Sequence, residues 1–335
     1  MQVYPAPTSK PSRQLGKALK VKQLMQKGAI IVNDLVEISN NVKYRINSIA
    51  GFNKFIDIAH RMGYTWYRGQ SVSDWDIVPG LTRSRREPEY NSNWIECLRY
   101  ETINFNETID KALYIVNNNS EFKAVKELNL NRLQFMLLAQ HYGLTTPIVD
   151  WTTNPDIALF FALDYLRDDG EFSPVLYATN PKLLNEYSDV LLNGESKYEI
   201  FSADNNYMAD YLCERLHHIE GKEYEETNSF VTPVAIESKL DFSHRITFQS
   251  GKFTINGPKK LDESVNFKNY NYDVGGAGPI INMTAEIDKS SNLFSDLDNH
   301  LLNFGYTKES VYRLGDSKSK LLDTLFKKIG ENYIK

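Results

Sequence analysis

The chain is predicted to be an α+β protein: helices first, short strands later, with no alternating βαβ rhythm. Three observations carry that expectation. Residues 46–63, 93–117, 131–142 and 157–166 place apolar side chains at helical spacing. Val175–Ala178, Val234–Ile236, Arg245–Phe248 and Lys252–Ile255 read as short strands in the second half. Helical patterns return at Tyr207–Ile219, Leu297–Phe304 and Lys318–Ile329 to close the chain. Runs of helices followed by runs of strands point to α+β rather than a doubly wound sheet.

The elements follow in order. Ile49, Phe52, Phe55, Ile56 and Ala59 make the first amphipathic helix, ending near Gly63. Tyr64–Arg68 is an aromatic strand closed by Gly69. Leu133 to Ala139 is a buried helix broken at Gly143 and Pro147, and Ile148–Val149 is a short strand. The next helix is expected to start at Thr153 or Asn154 as N-cap, with Pro155 in its first turn. The glycine cluster Gly275, Gly276 and Gly278 precedes a strand and reads as a turn.

Composition narrows the function. Of 335 residues, 38 are Lys or Arg and 43 are Asp or Glu, a formal net charge of −5. A nucleic-acid site would therefore be a local patch. Residues 1–45 are such a patch, with eight basic residues against Asp34 and Glu37, and are read as a basic arm carrying one helix. Residues 46–265 are the expected core, and 266–335 a C-terminal part packed on it. Cys97 and Cys213 stand apart from any Cys/His cluster, so structural zinc is not expected and a reducing cytoplasm is the simplest setting. No run of about 18 apolar residues is present.

Candidate chemistry concentrates in Gln140-His141-Tyr142-Gly143 through Asp150-Trp151-Thr152-Thr153-Asn154-Pro155. A helix end, a turn and a strand deliver His141, Asp150 and Thr152 to loop ends held by rigid elements. Plainer roles stand beside this one: a helix-terminal His caps its helix, and an Asp here serves as an N-cap. A second feature is Trp66-Tyr67-Arg68-Gly69-Gln70, in which a planar guanidinium holds a phosphate or ribose and Gly69 admits close approach. A structural salt bridge explains Arg68 equally well. The third is Arg245-Ile246-Thr247-Phe248-Gln249-Ser250-Gly251, read as strand, turn and strand with Gln249 at the strand end.

Together these motifs resemble the FRG domain, named for an aromatic-Arg-Gly triplet that is Tyr67-Arg68-Gly69 here. The block from Gln140 to Ala162 carries most of the resemblance. A more distant resemblance is to ADP-ribosyltransferases, which order three motifs on the strands of a split sheet: an Arg or His, a Ser/Thr-rich strand end, and an acidic residue or Gln before Gly. Arg68, then Trp151-Thr152-Thr153, then Gln249 follow that order, although Gln249 replaces the usual carboxylate. The resemblance implies NAD as substrate without a metal, with Arg68, His141, Asp150, Thr152 and Gln249 as catalytic candidates. Tyr67, Arg68, Gly69, Gln70, Tyr142, Trp151, Thr153 and Asn154 are the implied NAD contacts. Asp150 or Glu214 stands in for the missing carboxylate if Gln249 does not suffice.

The expected activity is that of an intracellular toxin or antiviral effector that ADP-ribosylates RNA, DNA or protein, RNA favoured, with an antitoxin as a possible partner. Two alternatives remain open: a non-catalytic nucleotide- or partner-binding module, and a nuclease or phosphodiesterase using His141 and Asp150.

Overall fold

Local capping chemistry sets where the elements begin. In the computed structural model, residues 34–39, 43–75, 77, 79–80, 109–144, 146–164, 173–187, 199–217, 233–239, 243–255 and 282–333 are described. Ser48 opens helix α1 (Ile49–Arg61) by accepting the Gly51 N–H, and Phe52, Phe55 and Ala59 bury its apolar stripe. Lys123–Lys126 is a single turn, α2. Asn131 and Gln134 form a reciprocal capping box at the start of α3 (Arg132–His141). Asn154 caps α4 (Pro155–Leu163), with Pro155 in the first turn as expected. The later helices are α5 (Pro181–Tyr187), α6 (Asn206–His217), α7 (His244–Phe248), α8 (Ser291–Asn303), α9 (Lys308–Val311) and α10 (Ser317–Tyr333).

Nine strands among the described residues join in one mixed sheet. They are β1 (Leu35–Ser39), β2 (Lys43–Ile46), β3 (Trp66–Gln70), β4 (Ile148–Thr152), β5 (Val175–Thr179), β6 (Phe201–Ser202), β7 (Val234–Glu237), β8 (Gly251–Ile255) and β9 (Asn282–Ile287). Their order across the sheet is β1-β2-β9-β5-β3-β4-β8-β7-β6. Only β2 with β9 and β6 with β7 run parallel; the other neighbours are antiparallel. Helices and a largely antiparallel sheet bear out the mixed class read from the sequence.

The centre of the sheet is where it is weakest. β3 pairs with β5 over five residues, and β4 with β8 over five. β3 and β4 meet only at Tyr67 and Thr152. Because the two strands are antiparallel, they separate toward Gln70 on one side and Ile148 on the other. Each half of the sheet has its own helical cover. Phe135, Met136, Leu212 and Phe326 pack on Ile148, Ile236 and Phe253. On the other half, Phe52, Phe55, Ala158 and Leu297 pack on Ile46, Leu176 and Ala285. A third apolar cluster, including Trp66, Val149, Trp151 and Tyr177, contains residues from both sides of the seam.

Three differences from the sequence reading matter. Arg245–Phe248 is not a strand: Ser243 accepts the Ile246 N–H and nucleates helix α7, so capping overrides the β-branched pattern. Gln249 is thus a helix C-cap ahead of β8, not the end of a strand. Residues 35–46, assigned to the basic arm, form the β1–β2 hairpin at the sheet edge. There Tyr44 and Ile46 are buried, while Lys43 and Arg45 both pair with Glu286 on β9. β9 itself, from the C-terminal part, sits inside the sheet between β2 and β5. The remainder of the arm, the first part of the 93–117 helix and the glycine cluster lie outside the described residues.

Candidate active site

The parting of β3 and β4 leaves a cavity of about 710 Å³ between the halves of the sheet, walled also by α3, α4 and α7. That size falls within the roughly 300–1,000 Å³ of small-molecule sites. Its wall brings together Tyr67, Arg68, Gly69 and Gln70 of β3 with His141 of α3, and adds Asp150, Trp151 and Thr152 of β4 and Gln249. These residues are scattered over more than 180 positions of sequence. Three of the implied NAD contacts stand elsewhere. Tyr142 packs into the core, stacked on Phe326 with ring centroids 5.7 Å apart. Thr153 is exposed. Asn154 caps α4 and donates to Tyr306 Oη at 2.8 Å.

Arg68 spans the seam where backbone pairing has stopped. Its Nη1 donates to the Asp150 carbonyl at 2.8 Å, replacing one missing ladder bond with a side chain. Gly69 is required by packing. A Cβ there would lie 1.8 Å from the Ala158 carbonyl oxygen, so the close approach is that of helix α4.

Asp150 is the only carboxylate on the cavity wall among the described residues. Gln140 Nε2 donates to its Oδ2 at 2.9 Å, and Gln140 is held in turn by Thr146 Oγ1 at 2.5 Å. His141 Nδ1 lies 3.9 Å from Asp150 Oδ1, beyond hydrogen-bond length. The His141 side chain is 6% exposed, whereas Asp150 keeps 39% of its side-chain surface accessible. Burial pulls the His141 pKa below its usual value, against the pull of Asp150, so the ring is neutral near pH 7. Burial pushes Asp150 the other way, but His141, the Gln140 amide and the Arg68 guanidinium together hold its carboxyl below the ordinary range. A neutral imidazole beside an ionised carboxylate is a pair equipped to accept a proton.

The remaining predicted residues act mainly as stitches. Thr152 Oγ1 donates to the Gln249 carbonyl at 2.6 Å and accepts the Asn154 N–H at 2.9 Å. Gln249 Nε2 donates to the Val311 carbonyl at 3.0 Å, so its amide ties the site to α9. Trp151 is fixed through Nε1 to Thr254 Oγ1 at 3.2 Å.

The wall also holds residues that the sequence motifs did not single out, among them Gln140, Arg245, Tyr312 and Trp75. Gln140 and Arg245 stand inside the quoted motifs, where the one reads as part of a buried helix and the other as the first residue of a strand. Tyr312 belongs to the segment after α9 and Trp75 to the turn after β3, and no local pattern marks either. Trp75 is 48% exposed at the cavity wall.

No helix among the described residues is long and apolar enough to cross a membrane, and none of their His, Cys, Asp and Glu side chains cluster as a metal site. No curated protein and no solved structure matches the chain. A family model does match, over the stretch that supplies β3, α3, β4 and α4 and with them most of the cavity wall: residues 63–171 match the model of the FRG domain.

Proposed function

We propose that the cavity binds NAD and that the protein is an ADP-ribosyltransferase. The observation that carries this reading is the open seam, where the Asp150 carboxyl, the His141 imidazole and the Arg68 guanidinium line one cavity. Arg68 is suited to a pyrophosphate or ribose, since its fork donates in a plane. The aromatic wall of Tyr67, Phe161 and Tyr312 suits flat rings.

The resemblance puts the third-motif carboxylate at Gln249, whose amide is engaged with Val311. Asp150 takes that role instead: its negative charge stabilises the positive charge that develops on the ribose. The C–N bond to nicotinamide breaks with its electron pair leaving on nicotinamide. A lone pair of the acceptor forms the new bond to the same ribose carbon. The proton released by the acceptor passes to His141, the neutral base at hand. No redox change and no metal is needed. Most of the acceleration comes from positioning and fixed charge.

The acceptor we favour is nucleic acid, RNA first, on the strength of the six basic residues in positions 1–33 of the sequence. Action inside the cytoplasm as a toxin or defence effector, held by an antitoxin, fits that acceptor. The test is to incubate the protein with adenine-tagged NAD and cell lysate. Label on RNA, DNA or protein that disappears with Arg68→Ala supports the transferase and names the acceptor class. No label and no free nicotinamide would leave the cavity as a binding site without catalysis.

A further inference from the structure

A second guanidinium faces the cavity, and nothing in the proposed reaction uses it. Arg245 lies on α7 and lines the same wall as Arg68, His141 and Asp150. Its charge reaches the cavity floor, where it disfavours protonation of His141. Its Nε is buried without a hydrogen-bond partner, and the described carboxylates that form ion pairs take other cations. Asp164, the acid closest in chain order to α4's end, pairs with Lys308 and accepts the Tyr312 hydroxyl.

What holds Arg245 is aromatic. Its guanidinium carbon lies 5.1 Å from the Tyr312 ring centroid and 5.8 Å from that of Tyr142. Both platforms are themselves fixed: Tyr312 Oη donates to Asp164 Oδ2 at 2.8 Å, and Tyr142 stacks on Phe326 with the planes 11° apart. A guanidinium stacked on two rings keeps its N–H edge free to donate in its plane. The core position of Tyr142, away from the ligand space, thereby acquires a purpose.

From this arrangement we propose that Arg245 and Arg68 together form a diphosphate site, so that the cavity selects nucleoside diphosphate-type ligands over nucleosides. Two guanidiniums against one carboxylate leave the wall with a surplus of one positive charge, which an anionic diphosphate uses and a neutral nucleoside does not. The inference rests on the same cavity as the NAD reading, but it requires only binding and no transfer.

The experiment compares ADP and adenosine by titration calorimetry on the full chain, with wild type, Arg245→Gln and Arg245→Lys. Wild type is expected to bind ADP more tightly than adenosine. Arg245→Gln, which keeps a polar amide but removes the guanidinium and its charge, is expected to weaken ADP by about tenfold or more and leave adenosine unchanged. Arg245→Lys is expected to fall between the two, because a point charge replaces the fork. Equal loss of ADP and adenosine in Arg245→Gln would mean a purely structural role and overturn the proposal. So would equal affinity of wild type for the two ligands. Arg245-dependent ADP binding in a protein that never releases nicotinamide would sustain this inference while the transferase reading fails. Nicotinamide release with an unchanged KM in Arg245→Gln would do the reverse.

Discussion

Replacing Gly69 with alanine tests whether the seam is built by packing of β3 on α4. The added methyl would lie 1.8 Å from the Ala158 carbonyl oxygen, 2.6 Å from the Ala162 nitrogen and 2.9 Å from the Ala158 carbonyl carbon. All three atoms are backbone, so no rotamer change relieves the contact. To restore van der Waals distance, strand and helix must part by roughly 1.5 Å in a region packed as densely as a crystal. Overpacking that side chains can absorb costs about 1–3 kcal/mol. Here a helix must move, so the expected loss is about 3 kcal/mol or more, a large part of the roughly 5–15 kcal/mol of a typical domain. Urea denaturation followed by circular dichroism measures it. Gly143→Ala is the control: Gly143 has φ +89° and nothing within 4 Å of its would-be Cβ. Only left-handed strain of about 1–2 kcal/mol applies there. If Gly69→Ala is no less stable than wild type, or less damaging than Gly143→Ala, the packing argument is wrong. A stable Gly69→Ala protein that has lost nucleotide binding would show instead that the glycine makes room for the ligand.

Further expectations concern single groups. Asn185 is buried and clamps β7, donating to the carbonyls of Glu199 at 2.8 Å and Ala235 at 3.0 Å and accepting the Ala235 N–H at 2.7 Å. Asn185→Ala should cost about 2–4 kcal/mol in urea denaturation, since it strands buried backbone groups; a loss near zero would refute the clamp. His141 has a folded pKa below its unfolded one, so the unfolded chain takes up the extra proton as pH falls under about 6.5. Stability should therefore decline from pH 7 toward pH 5, with a slope of at most about 1.4 kcal/mol per pH unit from this group. His141→Gln should flatten that slope, and parallel curves would count against a buried neutral ring. Asp150, with its pKa depressed, adds stability that is present above the normal carboxylate range and lost as pH falls through its folded pKa. If the transferase reading holds, Asp150→Asn should slow nicotinamide release about a hundredfold or more under conditions where circular dichroism shows the variant still folded.

The sequence was most informative where local chemistry decides the outcome. Asn154 with Pro155 marks the start of α4, and the motif from Gln140 to Thr152 lies along α3, the turn and β4 as expected. His141, Asp150, Arg68 and Thr152 do share one cavity. What local pattern does not carry is long-range pairing. β2 is legible only beside β9, because Lys43 and Arg45 gain their meaning from Glu286, more than 240 positions away. The Arg245 segment looks like a strand by its Ile, Thr and Phe, yet Ser243 and the space between β8 and α10 make it a helix. Gly69 was legible as a point of close approach, but not as to what approaches. Tyr312 reaches the cavity only through the packing of the C-terminal helices, which no motif announces.

The central claim is tested most directly by mixing the purified chain with NAD and measuring free nicotinamide over time, with Arg68→Ala and Asp150→Asn alongside. The account predicts steady release by wild type, stimulated by an RNA acceptor and lost in both variants. Wild-type protein that binds ADP but releases no nicotinamide, with or without acceptor, would contradict it.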